Sequence, residues 1–175
     1  MSSFPRRDPQ EDRLLTPQNS ALVVIDYQPT QINSINSISK DTLIRNIVTV
    51  VRIAQVYSLP TVLSTVNVLT GRNKDTVPRL KSVLADIPTY DRTSINAWED
   101  KDFYNAVLAT GRRKLILCAL WTEACLTFPT IDAIAEGFDI YPVSDAVGGT
   151  SITAHRTALH RIEQAGAHLV TIPQL

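Results

Sequence analysis

Cysteine and histidine are both scarce in this sequence, which limits the kinds of site it can form. Two cysteines, Cys118 and Cys125, and three histidines occur in 175 residues. Two cysteines cannot build a disulfide framework. A structural zinc site takes about four cysteine or histidine ligands, and all three histidines lie far along the chain, from His155 onward. The sequence therefore disfavours a metal site.

An excess of charge of one sign is also missing. The 17 lysines and arginines balance the 17 aspartates and glutamates, whereas nucleic-acid binders usually carry a basic excess. No apolar run approaches the ~20 residues that cross a bilayer, and residues 1–19 lack the apolar core of a signal peptide. These absences predict a soluble, cytoplasmic protein that binds neither nucleic acid nor membranes.

The composition that remains is typical of one globular domain. The hydrophobic fraction is 44% and the charged fraction 19%, which excludes a disordered chain. A chain of 175 residues forms one ordinary domain. Residues 1–19 contain three prolines and many charges, which predicts a polar tail that packs on a neighbour or stays mobile. The domain itself is expected to span residues 20–175.

Apolar runs alternate with amphipathic segments along this domain. The segments 21–25 and 114–120 are typical of strands buried on both faces. Further strands are predicted at 61–66, 87–92, 139–144 and 168–172. Helices are predicted at about 42–58, where Asp41 is the expected cap, after 75–76, and at about 100–110, 125–136 and 151–165. This alternation indicates a parallel sheet covered by helices on both faces.

Two residues at the same sheet edge mark a candidate site, because ligands of such sheets bind beyond the C-terminal strand ends. Asp26 ends the first buried strand, where partial desolvation lets a carboxylate act as a base; a loop cap is the alternative. Cys125 follows the strand 114–120 at a predicted helix start. The helix is predicted to start there because Pro129 fits only a first helical turn. The alternative is that Cys125 is a buried packing residue. Together they form a nucleophile–base arrangement.

Four segments carry motifs in a fixed order: Val23–Gln28, Arg92–Trp98, Leu120–Pro129 and Val143–Ser151. Together they resemble the isochorismatase-like cysteine hydrolases, in particular the YcaC-related branch, over about residues 20–172. The resemblance implies a three-layer α/β/α sandwich with a six-stranded parallel sheet of order 3-2-1-4-5-6. It also implies a homo-oligomer.

The same resemblance implies a catalytic triad of Asp26, Arg92 and Cys125, in which Arg92 stands where the wider family has lysine. Arginine keeps its proton, so Arg92 is expected to be a fixed cation that favours the thiolate and orients Asp26, or a structural ion-pair partner. A cation beside a helix start is expected to lower the Cys125 pKa. The resemblance further implies a cis peptide between Leu120 and Trp121, with the N–H groups of Trp121 and Cys125 as the oxyanion hole.

The implied activity is hydrolysis of a carbon–nitrogen bond, other than a peptide bond, in a small-molecule amide. Thioesterase or esterase activity of the same thiol, or an idle oligomeric binding protein, are the alternatives. The segment 66–70 lacks the histidine of the metal-binding nicotinamidases, so neither metal nor cofactor is implied. Trp98 and Trp121 are expected to wall an apolar pocket with Gln28 and Asn96 as polar handles, or to fill an interface.

Overall fold

The strands and helices alternate as the sequence predicts. The structure, a computed structural model, describes residues 6–175, so the first five residues of the predicted tail lie outside the described residues. The strands are Ser20–Ile25 (β1), Thr61–Val66 (β2), Thr89–Arg92 (β3), Lys114–Ala119 (β4) and Asp139–Pro142 (β5). The α-helices are Pro29–Ser34 (α1), Lys40–Val56 (α2), Pro78–Lys81 (α3), Lys101–Ala109 (α4), Thr127–Ala135 (α5) and Ile152–Gln164 (α6).

The sheet confirms the predicted α/β class and strand order. All neighbouring strands are parallel, in the order β3-β2-β1-β4-β5. Every residue of β1 and β4 is buried, because helices flank the sheet. The central pair is in register from Ser20 and Lys114 to Ile25 and Ala119, so the residues that follow β1 and β4 leave the sheet side by side. Within the described residues, no helix is long and apolar enough to cross a membrane.

The prediction of a sixth strand at 168–172 is wrong. This segment runs beside β5 and forms one isolated bridge, between Val170 and Val143, the residue that follows β5. The N–H of His168 bonds the Ile140 carbonyl and that of Val170 bonds the Pro142 carbonyl. Pro142 has no N–H to donate in return, so the ladder is interrupted. The chain then turns into a short 3₁₀ helix, Ile172–Gln174.

Side-chain caps fix where the long helices begin. Ser151 accepts a hydrogen bond from the Ala154 N–H at the start of α6, and Asp100 accepts one from Phe103 at the start of α4, as predicted. The cap of α2 is Ser39 and not Asp41; Asp41 lies inside the first turn, where its negative charge faces the positive end of the helix.

The described part of the N-terminal tail binds its own domain. The Lys114 ammonium group, at the start of β4, donates to the carbonyls of Asp12, Arg13 and Leu14 at 2.6, 2.7 and 3.0 Å. The Asn19 side chain donates to two of the same carbonyls. These contacts hold residues 12–14 at the start of β4, because the buried lysine needs acceptors.

Candidate active site

Asp26 follows β1 directly and its backbone is tightly held. Its φ is 62°, in the left-handed region that residues with a side chain seldom adopt. The Asp26 N–H donates to the Ser64 carbonyl at 3.0 Å, and its carbonyl accepts from the Gln28 N–H at 2.8 Å. The turn aims a fully buried carboxylate across the C-terminal ends of the strands.

Arg92, the last residue of β3, binds the Asp26 carboxylate with both Nη atoms. The two Nη–Oδ distances are 2.8 and 2.7 Å, and neither side chain is exposed. The guanidinium also donates to Ser64 Oγ and to the carbonyls of Thr65 and Ile95. Burial lowers the pKa of Arg92, but hydrogen bonds and the charge of Asp26 outweigh burial and raise it. Arg92 is therefore a fixed cation locked to Asp26.

Cys125 lies in a wide π-helical turn, Thr122–Leu126, that precedes α5. The α-helix was predicted to begin near residue 125 and begins at Thr127, while Pro129 lies in its first turn as expected. The turn is closed by the Leu126 N–H on the Trp121 carbonyl at 3.1 Å. Cys125 is 3% exposed, so only a small part of its thiol faces the solvent.

The expectation of a lowered Cys125 pKa is wrong. Burial raises the pKa of this thiol well above its usual range, and the negative charge of Asp26 raises it further. Arg92 opposes the shift, but its charge is already balanced by the carboxylate that it binds. Burial beside the Asp26 carboxylate therefore favours a neutral thiol in the resting site.

Asp26 has the properties of a base for this thiol. Burial raises the pKa of Asp26, with hydrogen bonds from Arg92 and Cys125 opposing the shift. A carboxylate with a raised pKa binds a proton more strongly than an exposed one. A neutral thiol in contact with such a carboxylate is the state that precedes proton transfer between them.

Trp121 joins β4 to the turn that carries the thiol. The peptide bond between Leu120 and Trp121 is cis, at the position that the resemblance implied. The Trp121 backbone next to the sulfur lowers the pKa of Cys125 and partly offsets its burial. The Trp121 indole donates to Ser34 Oγ at 2.6 Å, which fixes the ring against the end of α1.

A cleft of about 220 Å³ opens beside Cys125. Sites for drug-sized ligands measure roughly 300–1,000 Å³, so this cleft fits a smaller molecule. It is lined by Thr30, Gln31, Val66, Asn67, Arg72, Asn73, Thr93, Ile95, Trp121 and Cys125. No group of three histidine, cysteine, aspartate or glutamate side chains in residues 6–175 is placed to hold a metal ion.

Gln28, predicted as a polar handle of the pocket, lies behind the cleft. It is fully buried. Its amide nitrogen donates to the carbonyls of Val66 and Lys74 at 3.1 and 2.7 Å, and its oxygen accepts from the Val66 N–H at 2.9 Å. With its amide occupied by the backbone, Gln28 holds the segment after β2 and has no group left for a ligand.

Asn96 and Trp98 face α5 and do not line the cleft. The Asn96 amide donates to Asp132 at 2.6 Å, and the Trp98 indole donates to Glu136 at 3.0 Å. The Trp98 ring makes edge-to-face contacts with the rings of Phe103, Tyr104 and Phe138. Within the chain, Trp98 packs a strand-end loop against helices; a role in a subunit interface stays a prediction.

Sequence reasoning missed most of the residues that line the cleft. Asn67, Arg72 and Asn73 belong to the loop that follows β2, and Thr30 and Gln31 belong to α1, a helix that was not predicted. A signal was present, since polar residues follow a strand next to β1, at the edge where Asp26 leaves the sheet.

The raised thiol pKa predicts slow alkylation near neutral pH. Near pH 6.5 iodoacetamide should label Cys125 more slowly than it labels free cysteine, because less thiolate is present. The rate should rise as the pH is raised toward 9. Timed quenching and peptide mass spectrometry measure both rates, and Cys118 is the internal control because it is fully buried. Faster labelling of Cys125 than of free cysteine near pH 6.5 would contradict the raised pKa.

Comparison with known proteins identifies the family. Residues 20–174 match the family described as "Isochorismatase domain". The chain is 37% identical over 158 residues to the "Probable hydrolase YcaC" of Escherichia coli strain K12, covering 90% of this chain and 76% of that one. The chain belongs to the isochorismatase family, a family of hydrolases.

Solved structures of relatives have the same fold. YcaC from Pseudomonas aeruginosa, solved with hexane-2,5-diol and covalent acrylamide, has a TM-score of 0.87 at 33% identity, covering 97% of this chain and 81% of that one. E. coli YcaC, described as an octameric hydrolase of unknown specificity, has a TM-score of 0.86 and covers 91% and 78%. The MAR1 ribonuclease of Caenorhabditis elegans has a TM-score of 0.82 at 28% identity, covering 91% and 80%.

Proposed function

We propose that this chain is a cysteine hydrolase that cleaves a carbon–nitrogen bond, other than a peptide bond, in small amides. The observation that carries the proposal is one buried cluster: Cys125 and Asp26 follow adjacent strands at the same sheet edge, both are buried, and Arg92 holds the Asp26 carboxylate in place. In such a cluster the thiol is neutral at rest, and Asp26 can take its proton as the sulfur attacks an electrophile. The adjoining cleft has the size of a small molecule.

The first half-reaction forms a thioester. Asp26 takes the proton of the Cys125 thiol as the sulfur attacks the amide carbonyl carbon. The backbone N–H groups of Trp121 and Cys125 stabilise the oxyanion. When the carbon–nitrogen bond breaks, Asp26 returns the proton to the nitrogen and the amine leaves. Arg92 keeps Asp26 oriented and releases no proton, since arginine stays charged.

The second half-reaction restores the enzyme. Asp26, again a carboxylate, takes a proton from a water molecule that attacks the thioester carbonyl carbon. The carbon–sulfur bond breaks, the carboxylic acid leaves, and the proton held by Asp26 returns to the sulfur. The balance is one amide and one water converted into one acid and one amine, so no redox partner or cofactor is needed.

The P. aeruginosa relative supports the presence of a reactive nucleophile in this group of proteins. Its structure holds covalent acrylamide, a small amide whose double bond reacts with nucleophiles such as a thiolate. A molecule of that size fits a cleft of about 220 Å³. The C. elegans relative is named a ribonuclease, but the balanced charge of this chain gives no electrostatic support for RNA as its substrate.

The same thiol and amide donors would also act on esters and thioesters, so the test compares matched compounds. Amide, ester and thioester derivatives of the same small acyl group are offered to the enzyme, and mass spectrometry follows acyl-Cys125 and the released amine, alcohol or thiol. Amine release with an acyl adduct on Cys125 supports the proposal. Turnover of esters or thioesters alone would make the protein an esterase, and no adduct from any compound would make it an idle binding protein.

A homo-oligomer is part of the same proposal. The E. coli relative is octameric, and this chain exposes large apolar side chains that a neighbouring copy would cover, among them Leu69 at 87% and Val56 at 78% exposure. Sedimentation equilibrium measures the mass in solution, and a monomer across the micromolar range would remove this part of the proposal.

A further inference from the structure

We infer that the cleft takes amides that carry a carboxylate at the end remote from the scissile bond, and that Arg72 binds this carboxylate. The inference rests on the proposed function, since it names the substrate class of the same site. Arg72 and Cys125 both line the cleft. A substrate that reaches both would place its amide carbonyl at the sulfur and its anionic end at the guanidinium.

This inference rests on which side chains that line the cleft are charged. Of its ten lining residues, Arg72 is the only one with a charged side chain, apart from the titratable thiol. Asp26, which adjoins Cys125, is fully buried and balanced by Arg92, and Asp91 accepts hydrogen bonds from the N–H groups of the loop. Among its lining residues the cleft therefore presents one positive charge to a ligand, on an exposed side chain whose attraction for an anion is partly screened by solvent.

The Arg72 guanidinium is free to bind such a ligand. Its backbone N–H bonds Thr70, but its side chain has no hydrogen-bond or ion-pair partner among residues 6–175. A guanidinium presents N–H groups in a planar fork that fits the two oxygens of a carboxylate. The remaining polar side chains of the cleft are amides and hydroxyls, which suit a polar chain between the two ends.

The first half of the Arg72 loop is fixed to the sheet before any ligand binds. The Asp91 carboxylate, next to Arg92, accepts hydrogen bonds from the N–H groups of Val68 and Leu69 at 3.0 and 2.9 Å. Gly71, at φ 74°, turns the chain immediately before Arg72. These contacts place the base of the arginine side chain at the cleft.

The second half of the loop is fixed to α1. The Asn73 side chain accepts from Thr30 Oγ1 at 2.8 Å and donates to Gln31 at 3.1 Å, and the Asn73 N–H bonds the Asn67 carbonyl at 3.0 Å. Arg72 therefore lies between two anchored positions. Preorganisation of this kind reduces the entropy that a binding residue loses when it engages a ligand.

The direct test needs no hydrolysis, because it compares two alkylating agents that differ by one charge. N-iodoacetyl-β-alanine carries a carboxylate remote from the attacked carbon where N-propyl-iodoacetamide carries a neutral methyl group, and both are thiol alkylating agents. The ratio of their rates cancels any change in thiolate fraction. In Arg72→Gln the ratio of the anionic to the neutral reagent's rate should fall about fivefold, the scale of one exposed charge interaction. In Arg72→Lys it should stay within about twofold of the parent.

Arg52→Gln is the matched control, because it removes the same charge from an exposed position on α2 away from the cleft. Its ratio should equal that of the parent. An unchanged ratio in Arg72→Gln, or an equal fall in Arg52→Gln, would overturn the role of Arg72. Because alkylation does not depend on turnover, this result separates a failure of the inference from a failure of the proposed hydrolase.

Measurement of turnover provides a second test of the inference. Succinamate and butyramide are primary amides of equal chain length that differ in a terminal carboxylate. The parent should have the higher kcat/KM for succinamate, and Arg72→Gln should lose that preference mainly through KM, because the carboxylate is bound equally in ground and transition states. A preference for butyramide in the parent would overturn the inference while leaving an amidase in place.

Discussion

Cys125→Ala is expected to abolish hydrolysis, lowering kcat/KM by about 10⁴-fold or more, as removal of a covalent nucleophile does elsewhere. Without the sulfur no thioester can form, and the amide donors of Trp121 and Cys125 can only polarise the carbonyl. Cys125→Ser should be nearly as inactive, because a hydroxyl is a much weaker acid than a thiol and Asp26 is then too weak a base for it. Initial rates on the best amide from the matched panel measure both variants.

Cys118→Ala is the control for this result. Cys118 lies in β4, is fully buried, and has a pKa raised by burial, so it does not meet a ligand. Its loss should cost about 1–2 kcal/mol in the free energy of unfolding, through the space it leaves in the core, with kcat/KM unchanged. Equal loss of activity in the two alanine variants, or an active Cys125→Ala, would remove the nucleophile assignment.

The positions of Asp26 and Cys125 could be predicted from sequence because both depend on local patterns. A run of apolar residues defines each central strand, and parallel strands present their C-terminal ends at one edge. The register confirms this placement, since Ile25 of β1 pairs with Ala119 of β4. Pro129 also predicted a helix start correctly to within two residues, because a proline is restricted to the first turn.

The protonation state of the site could not be predicted in the same way. A cation and a helix start beside Cys125 both favour a thiolate, and the sequence contains both. The thiol pKa rises instead because the sulfur is almost fully desolvated and because Asp26 already neutralises Arg92. Asp26 and Arg92 are 66 residues apart, and their contact depends on the packing of three strands.

The direction in which each side chain points was the second property that could not be predicted from the sequence. Gln28, Asn96 and Trp98 lie in segments that border the site, but their hydrogen bonds face Val66, Asp132 and Glu136 and leave the cleft to other residues. The prediction of a sixth strand was wrong for a different reason. The apolar pattern of 168–172 is strand-like, and the missing N–H of Pro142 on its neighbour decides the outcome.

Asp26→Asn is expected to abolish turnover and to destabilise the fold at the same time. An amide cannot accept the thiol proton, so kcat/KM should fall by about 10³- to 10⁴-fold. The variant also leaves Arg92 buried without its carboxylate, and a guanidinium cannot shed its charge. Breaking a buried pair in this way costs about 3–5 kcal/mol in the free energy of unfolding. Urea unfolding and initial rates measure the two effects separately.

Arg92→Met distinguishes the base from its partner. It leaves Asp26 buried without a cation, and a carboxyl group, unlike a guanidinium, can become neutral by taking a proton. Its pKa, already raised by burial, should then rise further. Because the folded pKa lies above the unfolded one of about 3.9, stability is full below that value and declines as the pH rises toward the folded pKa.

The two variants should therefore differ in how stability depends on pH. Relative to the parent, Arg92→Met should lose less free energy of unfolding near pH 5 than near pH 8. The loss should grow as Asp26 becomes ionised with rising pH. Asp26→Asn has no carboxylate at this position, so its loss of stability should be similar at both values. Near-parent hydrolysis by Asp26→Asn would show that Asp26 is not the base. Equal pH dependence in the two variants would show that the carboxylate of Asp26 does not govern the stability of this site.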